Sequence, residues 1–352
     1  MSTRQTHREV VPFLLPFTVI FVIFLFFPAL YSIYLSFRKA SLYSDLTNIF
    51  TTMKYVGFQN YIDLLHDRDF LWSLVMTTYY GILVVPPGIF VSLVLAALLS
   101  NRLPGHKIFR SAFFLPNVLD LFVVSIVWTA IYAPKLGVLD QLFHALKLPV
   151  LFKHGILADP VWALPGIALM VILKDSGFGM ILYLAAIQNI PRDVYEAADI
   201  DGATAWQKFT KITFPLVKPV TLLLIVTGIL RSLMAFPEIY ALTQGRPFQE
   251  IPNWVPYFAG ATLGMTKIAG YYLFEKFYLS YQYGYAAAMS VILLFISLPL
   301  SFLSFFALRT EGPSVGEMWR KWRRSRRGIS MGNAEGESTS PFGEGLKPGE
   351  VG

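Results

Sequence analysis

The 352-residue sequence has no cysteine, so disulfides, zinc–thiolate sites and thiol nucleophiles are excluded, while the redox compartment stays open. It has no Gly-x4-Gly-Lys-Ser/Thr phosphate loop. The stretch Gly260-Ala-Thr-Leu-Gly-Met-Thr-Lys267 has the composition but not the spacing. It also lacks His-Glu-x-x-His, and its five histidines are scattered through the amino terminus and loops. No Gly-x-Ser-x-Gly elbow is present. An integral membrane enzyme is therefore disfavoured, and no metal or cofactor is expected on this chain. No internal repeat is visible, which weakens an inverted-repeat secondary transporter. Charge is also scarce, at 14% of residues against 55% hydrophobic.

What is present is long apolar sequence. A mean hydropathy of +0.54 indicates an all-α polytopic membrane protein rather than one or two soluble domains. Six transmembrane helices are expected over about 10–37, 70–100, 111–133, 160–187, 216–242 and 284–308. Pro86-Pro87 predicts a kink in the second. Residues 1–9 form a short basic amino terminus, and the apolar stretch after it is too long for a secretory signal. Residues 309–352 form a tail that is first basic, then rich in Gly, Ser, Glu and Pro and expected to be disordered. The net charge of +7 does not imply nucleic-acid binding, because the basic residues collect on one membrane face. The short 101–110 loop carries Arg102, Lys107 and Arg110 without an acid, which puts it inside together with both termini.

The segment 188–219 interrupts this pattern. Arg192, Lys208, Lys211 and Lys218 stand there against Asp193, Glu196, Asp199 and Asp201, so it cannot sit in hydrocarbon. Pro191 suits a first helical turn and Asp193 the positive end of a helix dipole. Asp201-Gly202 reads as a stop, and Thr204-Ala-Trp-Gln207 as a capping box opening a second helix. Pro215 and Pro219 mark return to the membrane. The expectation is a helix–turn–helix along the surface.

Within it, Glu196-Ala197-Ala198, then Gly202, then Ile212-Thr213-Phe214-Pro215 resembles the EAA motif of ABC importer permeases, with Phe214 where Leu is usual. Two further stretches, Val56-Gly57-Phe58-Gln59-Asn60-Tyr61 and residues 99–116, resemble the carbohydrate-uptake branch, specifically its maltose-type or glycerol-phosphate-type first permease. The resemblance implies a type I ABC importer permease fold. It also implies a cytoplasmic coupling loop docking on an ATPase through Tyr195, Glu196, Ala197, Ala198, Asp201, Gly202, Ile212 and Pro215. The implied partners are a second homologous permease, two copies of the ATPase and an extracytoplasmic solute-binding protein, in a bacterial or archaeal inner membrane. ATP–Mg would be used by the ATPase. The chain departs from the family at Gln244-Gly245-Arg246-Pro247, where Gly-Gly-Pro is common, and at Pro237, which precedes Glu238. The 243–283 connection is also longer than usual.

Five ionisable residues fall in expected spans: Asp120, Lys174, Asp175, Arg231 and Glu238. Each is a pathway candidate because a charge at membrane depth must be paired or wetted. Asp120 and Glu238 are expected toward the outer ends of their spans, with Lys174 and Arg231 near mid-span. Adjacent on a helix, Lys174 and Asp175 are expected to point apart. Pro237 should bend the fifth span. The alternative class is an ion-coupled secondary transporter using these charges.

Overall fold

The computed structural model describes residues 14–39, 53–100, 105–146 and 155–309. The amino terminus, most of the 309–352 tail and part of the 101–110 loop lie outside those residues. Helix α1, Leu14–Ser36, has no buried residue in its apolar window. It leads into a two-residue antiparallel pair, β1 (Arg38–Lys39) with β2 (Lys54–Tyr55). Helix α2, Gln59–His66, is followed by α3, Arg68–Ser100, which continues through Pro86 and Pro87 as one helix.

The expected third span is not one rod. Helix α4, His106–Val118, and helix α5, Leu121–Ile131, meet at 103°. Pro116 lies near the end of α4, and Asp120 accepts the Phe122 N–H at 2.8 Å to cap α5. An Asp favours this non-helical cap position over a helix interior, which is why the chain breaks here. After the short α6, Val138–Ala145, comes α7, Ala163–Gln188. Helix α7 packs along α3, with Ser92 donating to the Ser176 carbonyl at 3.0 Å. It also meets α4 so closely that a Cβ on Gly177 would fall 1.9 Å from the Phe113 carbonyl oxygen. Only glycine fits there.

Helix α8 is Arg192–Ile200, and α9 runs Ala205–Leu233. The expected boundary between a surface helix and the fifth span is absent, because α9 is both. A wide five-residue turn at Phe209–Thr213 ends two residues before Pro215. A wider turn relieves the clash between a proline ring and the carbonyl one turn back, so the helix passes through. The fifth span instead ends at Leu233. Pro237 opens a separate helix α10, Pro237–Leu242, as its first residue rather than kinking a continuous one. The connection beyond it holds a hairpin, β3 (Phe248–Glu250) with β4 (Thr262–Gly264), and helix α11, Ala269–Phe274. Helix α12, Tyr283–Arg309, is the last among the described residues. Five described helices are long and apolar enough to cross a membrane, and the bent pair α4–α5 would make a sixth.

One core cluster joins α3, α7, α10 and the hairpin through Trp72, Met76, Ile167, Met170, Ile239 and Leu263. A second joins α3, α7 and α9 through Ala96, Met180, Tyr183 and Val217. Asp67 ties the long 243–283 connection to the bundle. Its Oδ1 accepts from the N–H groups of Asp69 (2.9 Å) and Phe70 (3.3 Å) at the start of α3. Its Oδ2 accepts the hydroxyls of Tyr272, at 2.6 Å, and Tyr285. Burial alone would raise the Asp67 pKa. The two tyrosines, the Phe70 N–H and the charge of Lys276 outweigh it and hold the carboxyl below its ordinary value of 3.8.

Candidate functional site: a surface turn and a charged cavity

Between α7 and α9 the chain makes a compact turn built from local rules. Pro191 occupies the cap position before α8, and Asp193 lies in its first turn. At the far end the Ala203 N–H donates to the Ala198 carbonyl (2.9 Å) and the Gly202 N–H to that of Asp199 (3.0 Å). Gly202 has φ +69°, a left-handed geometry that glycine adopts without penalty. Thr204 accepts from the Gln207 N–H, and the Gln207 side chain accepts from the Thr204 N–H, which is the reciprocal cap anticipated from sequence. Two contacts tie the arms: Tyr195 to Thr213 at 2.9 Å between hydroxyls, and Lys208 Nζ to Asp199 Oδ1 at 2.6 Å.

Glu196 and Gly202 are exposed, whereas Tyr195, Ala197, Asp201, Ile212 and Pro215 are half-buried. Ala198 differs from expectation. It is buried within the chain rather than presented outward, because it shares the inward face of α8 with Val194 and Tyr195. Ile200 and Trp206 are 88% and 71% exposed at the turn. They were not singled out from sequence, although an Ile and a Trp in so charged a stretch are themselves a signal of an apolar contact.

The second feature is a cavity of about 580 Å³ walled by α3, α7, α9 and α10. Its polar lining includes Tyr80, Asp175, Ser176, Arg231 and Glu238. Arg231 Nη2 lies 2.9 Å from Asp175 Oδ2, and Lys174 Nζ lies 3.4 Å from Asp175 Oδ1. The expectation that Lys174 and Asp175 are too divergent to pair is therefore corrected. Four methylenes let the buried ammonium fold back toward its neighbour's carboxylate. The Tyr80 hydroxyl donates to Glu238 Oε1 at 2.8 Å, while Glu238 Oε2 is buried without a partner. Glu238 is thus buried within the protein, on the short helix that follows the end of the fifth span. Asp120 does not join the group; it is exposed and caps α5. Tyr80 was not anticipated, since nothing distinguishes it among the 18 tyrosines.

Residues 88–314 match the binding-protein-dependent transport system inner membrane component family. The chain belongs to that family. Over 82% of its length it is 33% identical to a probable ABC transporter permease protein of Pyrococcus horikoshii, of which it covers 91%. It is 32% identical, over 84% of its length and 93% of the relative's, to the lactose transport system permease protein LacF of Rhizobium radiobacter. Its fold matches a chain of the bacterial alginate ABC transporter solved in complex with an alginate pentasaccharide-bound periplasmic protein. The TM-score is 0.70 at 23% identity, covering 87% of this chain and 95% of that one. The chain is thus an ABC importer permease in a membrane, with several apolar helices. A stand-alone ion-coupled transporter is not favoured, because the family works with a binding protein.

Proposed function

We propose that this permease forms half of the translocation pathway for a sugar or related carbohydrate, with a homologous second permease supplying the other half. The observation carrying this reading is the union of two features on adjacent elements. Helices α7 and α9, which wall the charged cavity, are also joined by the exposed turn. A push on the turn is therefore a push on the cavity. Relatives named for lactose and for trehalose/maltose transport support the solute class.

In this reading the α8–α9 turn faces the cytoplasm and docks in a groove of an ABC ATPase, two copies of which use ATP–Mg. Glu196 supplies a fixed charge, Ile200 and Trp206 are apolar anchors, and Gly202 shapes the turn. An extracytoplasmic solute-binding protein delivers the solute to the opposite face, beside the 243–283 connection. Both termini lie inside. The permease itself holds no nucleotide.

The test is reconstitution. The chain, purified with the ATPase and second permease that accompany it and supplied with its binding protein, is expected to accumulate a radiolabelled carbohydrate in proteoliposomes only with ATP. Failure to copurify with any ATPase, or uptake driven by an ion gradient without ATP, would refute the proposal.

A further inference from the structure

Arg231 meets the cavity with its counter-ion already attached. The Arg231 side chain is 59% exposed, yet its guanidinium sits 2.9 Å from Asp175, whose side chain is only 20% exposed. The other Asp175 oxygen faces Lys174, whose side chain is 7% exposed and so belongs to the wall rather than to the lumen. The second acid, Glu238, is turned toward Tyr80 and is 3% exposed.

An anionic group on a solute would seek the planar fork of Arg231. It would have to displace Asp175 or share the guanidinium with it, and two carboxylates on one cation repel. A hydroxyl needs no such exchange. It accepts from Arg231 N–H groups pointing away from Asp175 and donates to the exposed part of the Asp175 carboxylate, while Ser176 and Ser232 supply neutral partners nearby on the lining. We propose that Asp175 is a specificity-determining residue: as the resident counter-ion of Arg231, it makes the pathway accept uncharged carbohydrate and reject sugar carboxylates and phosphates. This rests on the import function proposed above.

The experiment uses the complete transporter in proteoliposomes with its binding protein, offered radiolabelled neutral oligosaccharides and matched uronate oligosaccharides. Wild type is expected to take up neutral members only. Uptake of uronates overturns the inference but leaves carbohydrate import standing, whereas uptake of neither class counts against import itself. The second arm removes the counter-ion. Asp175→Asn alone strands a buried ammonium, so Lys174→Met is combined with it and leaves Arg231 as the unpaired cation.

In that double variant trigalacturonate, added as competitor, is expected to inhibit uptake of the neutral solute at concentrations about tenfold lower than in wild type, because the summed charge of the group is unchanged but the Arg231 fork no longer has a competing carboxylate on it. The binding protein is the same in both, so the difference belongs to the permease. Equal inhibition overturns the proposal. Uptake of uronates by wild type overturns the proposal whatever the yield of the variant.

Discussion

Gly202 separates backbone geometry from partner contact at the turn. At φ +69° an L-residue pays about 1–2 kcal/mol for the left-handed region, with Asn the least penalised. Within this chain nothing lies within 4 Å of a Cβ built there, so steric conflict adds nothing. Gly202→Ala should therefore reduce the population of the closed turn by about five- to thirtyfold at most, since 1.4 kcal/mol is a factor of ten. Gly202→Asn should lose much less. ATP-driven uptake in proteoliposomes is the assay, scaled to the amount of folded complex. If the backbone alone matters, uptake ranks Gly, Asn, Ala, Val. If a partner surface fills the open space above the turn, Asn fails as completely as Val and no ranking by φ survives. Wild-type uptake by Gly202→Val would refute both the geometric constraint and the docking role.

Glu196→Lys should cut uptake more than tenfold without lowering folded yield, because Glu196 is exposed; a fall in yield matching the fall in uptake would make it structural. Tyr80→Phe removes the hydroxyl that donates to buried Glu238 and should destabilise the complex by about 1–3 kcal/mol, read as a lower thermal midpoint in detergent. Adding Glu238→Leu should restore most of that midpoint, and no recovery would count against the buried bond. Asp67 has a depressed pKa in the folded state, so its contribution is complete well above pH 3.8 and is lost as pH falls through the lower folded value. Asp67→Asn should flatten the acid limb of stability below about pH 4, and an unchanged limb would show that other carboxylates control it.

Local chemistry made the turn legible. The Gly202 stop, the Thr204–Gln207 reciprocal cap and the first-turn Asp193 each follow from rules acting over a few residues, and each is found. Apolar helices also lie near the first, second, fourth and sixth expected spans, since hydropathy needs no partner, whereas the third is broken and the fifth is displaced. What sequence could not supply is where a helix breaks when two rules compete. Pro215 and Pro219 lie inside a helix that a wide turn lets continue, whereas the pair Pro116 and Asp120 coincides with a break that hydropathy alone passes over.

Side-chain reach is the second limit. Helical phase separates the Cα–Cβ vectors of Lys174 and Asp175, but it does not bound where a four-methylene chain ends, and the ammonium returns to 3.4 Å. Pairings such as Arg231 with Asp175, or Tyr80 with Glu238, join residues 56 and 158 positions apart. Periodicity carries no information at that separation. The rule that a charge in apolar sequence must find company nonetheless holds for all five. The structure adds that four of the five find it in or beside one cavity, and that the fifth, Asp120, finds it in a backbone N–H.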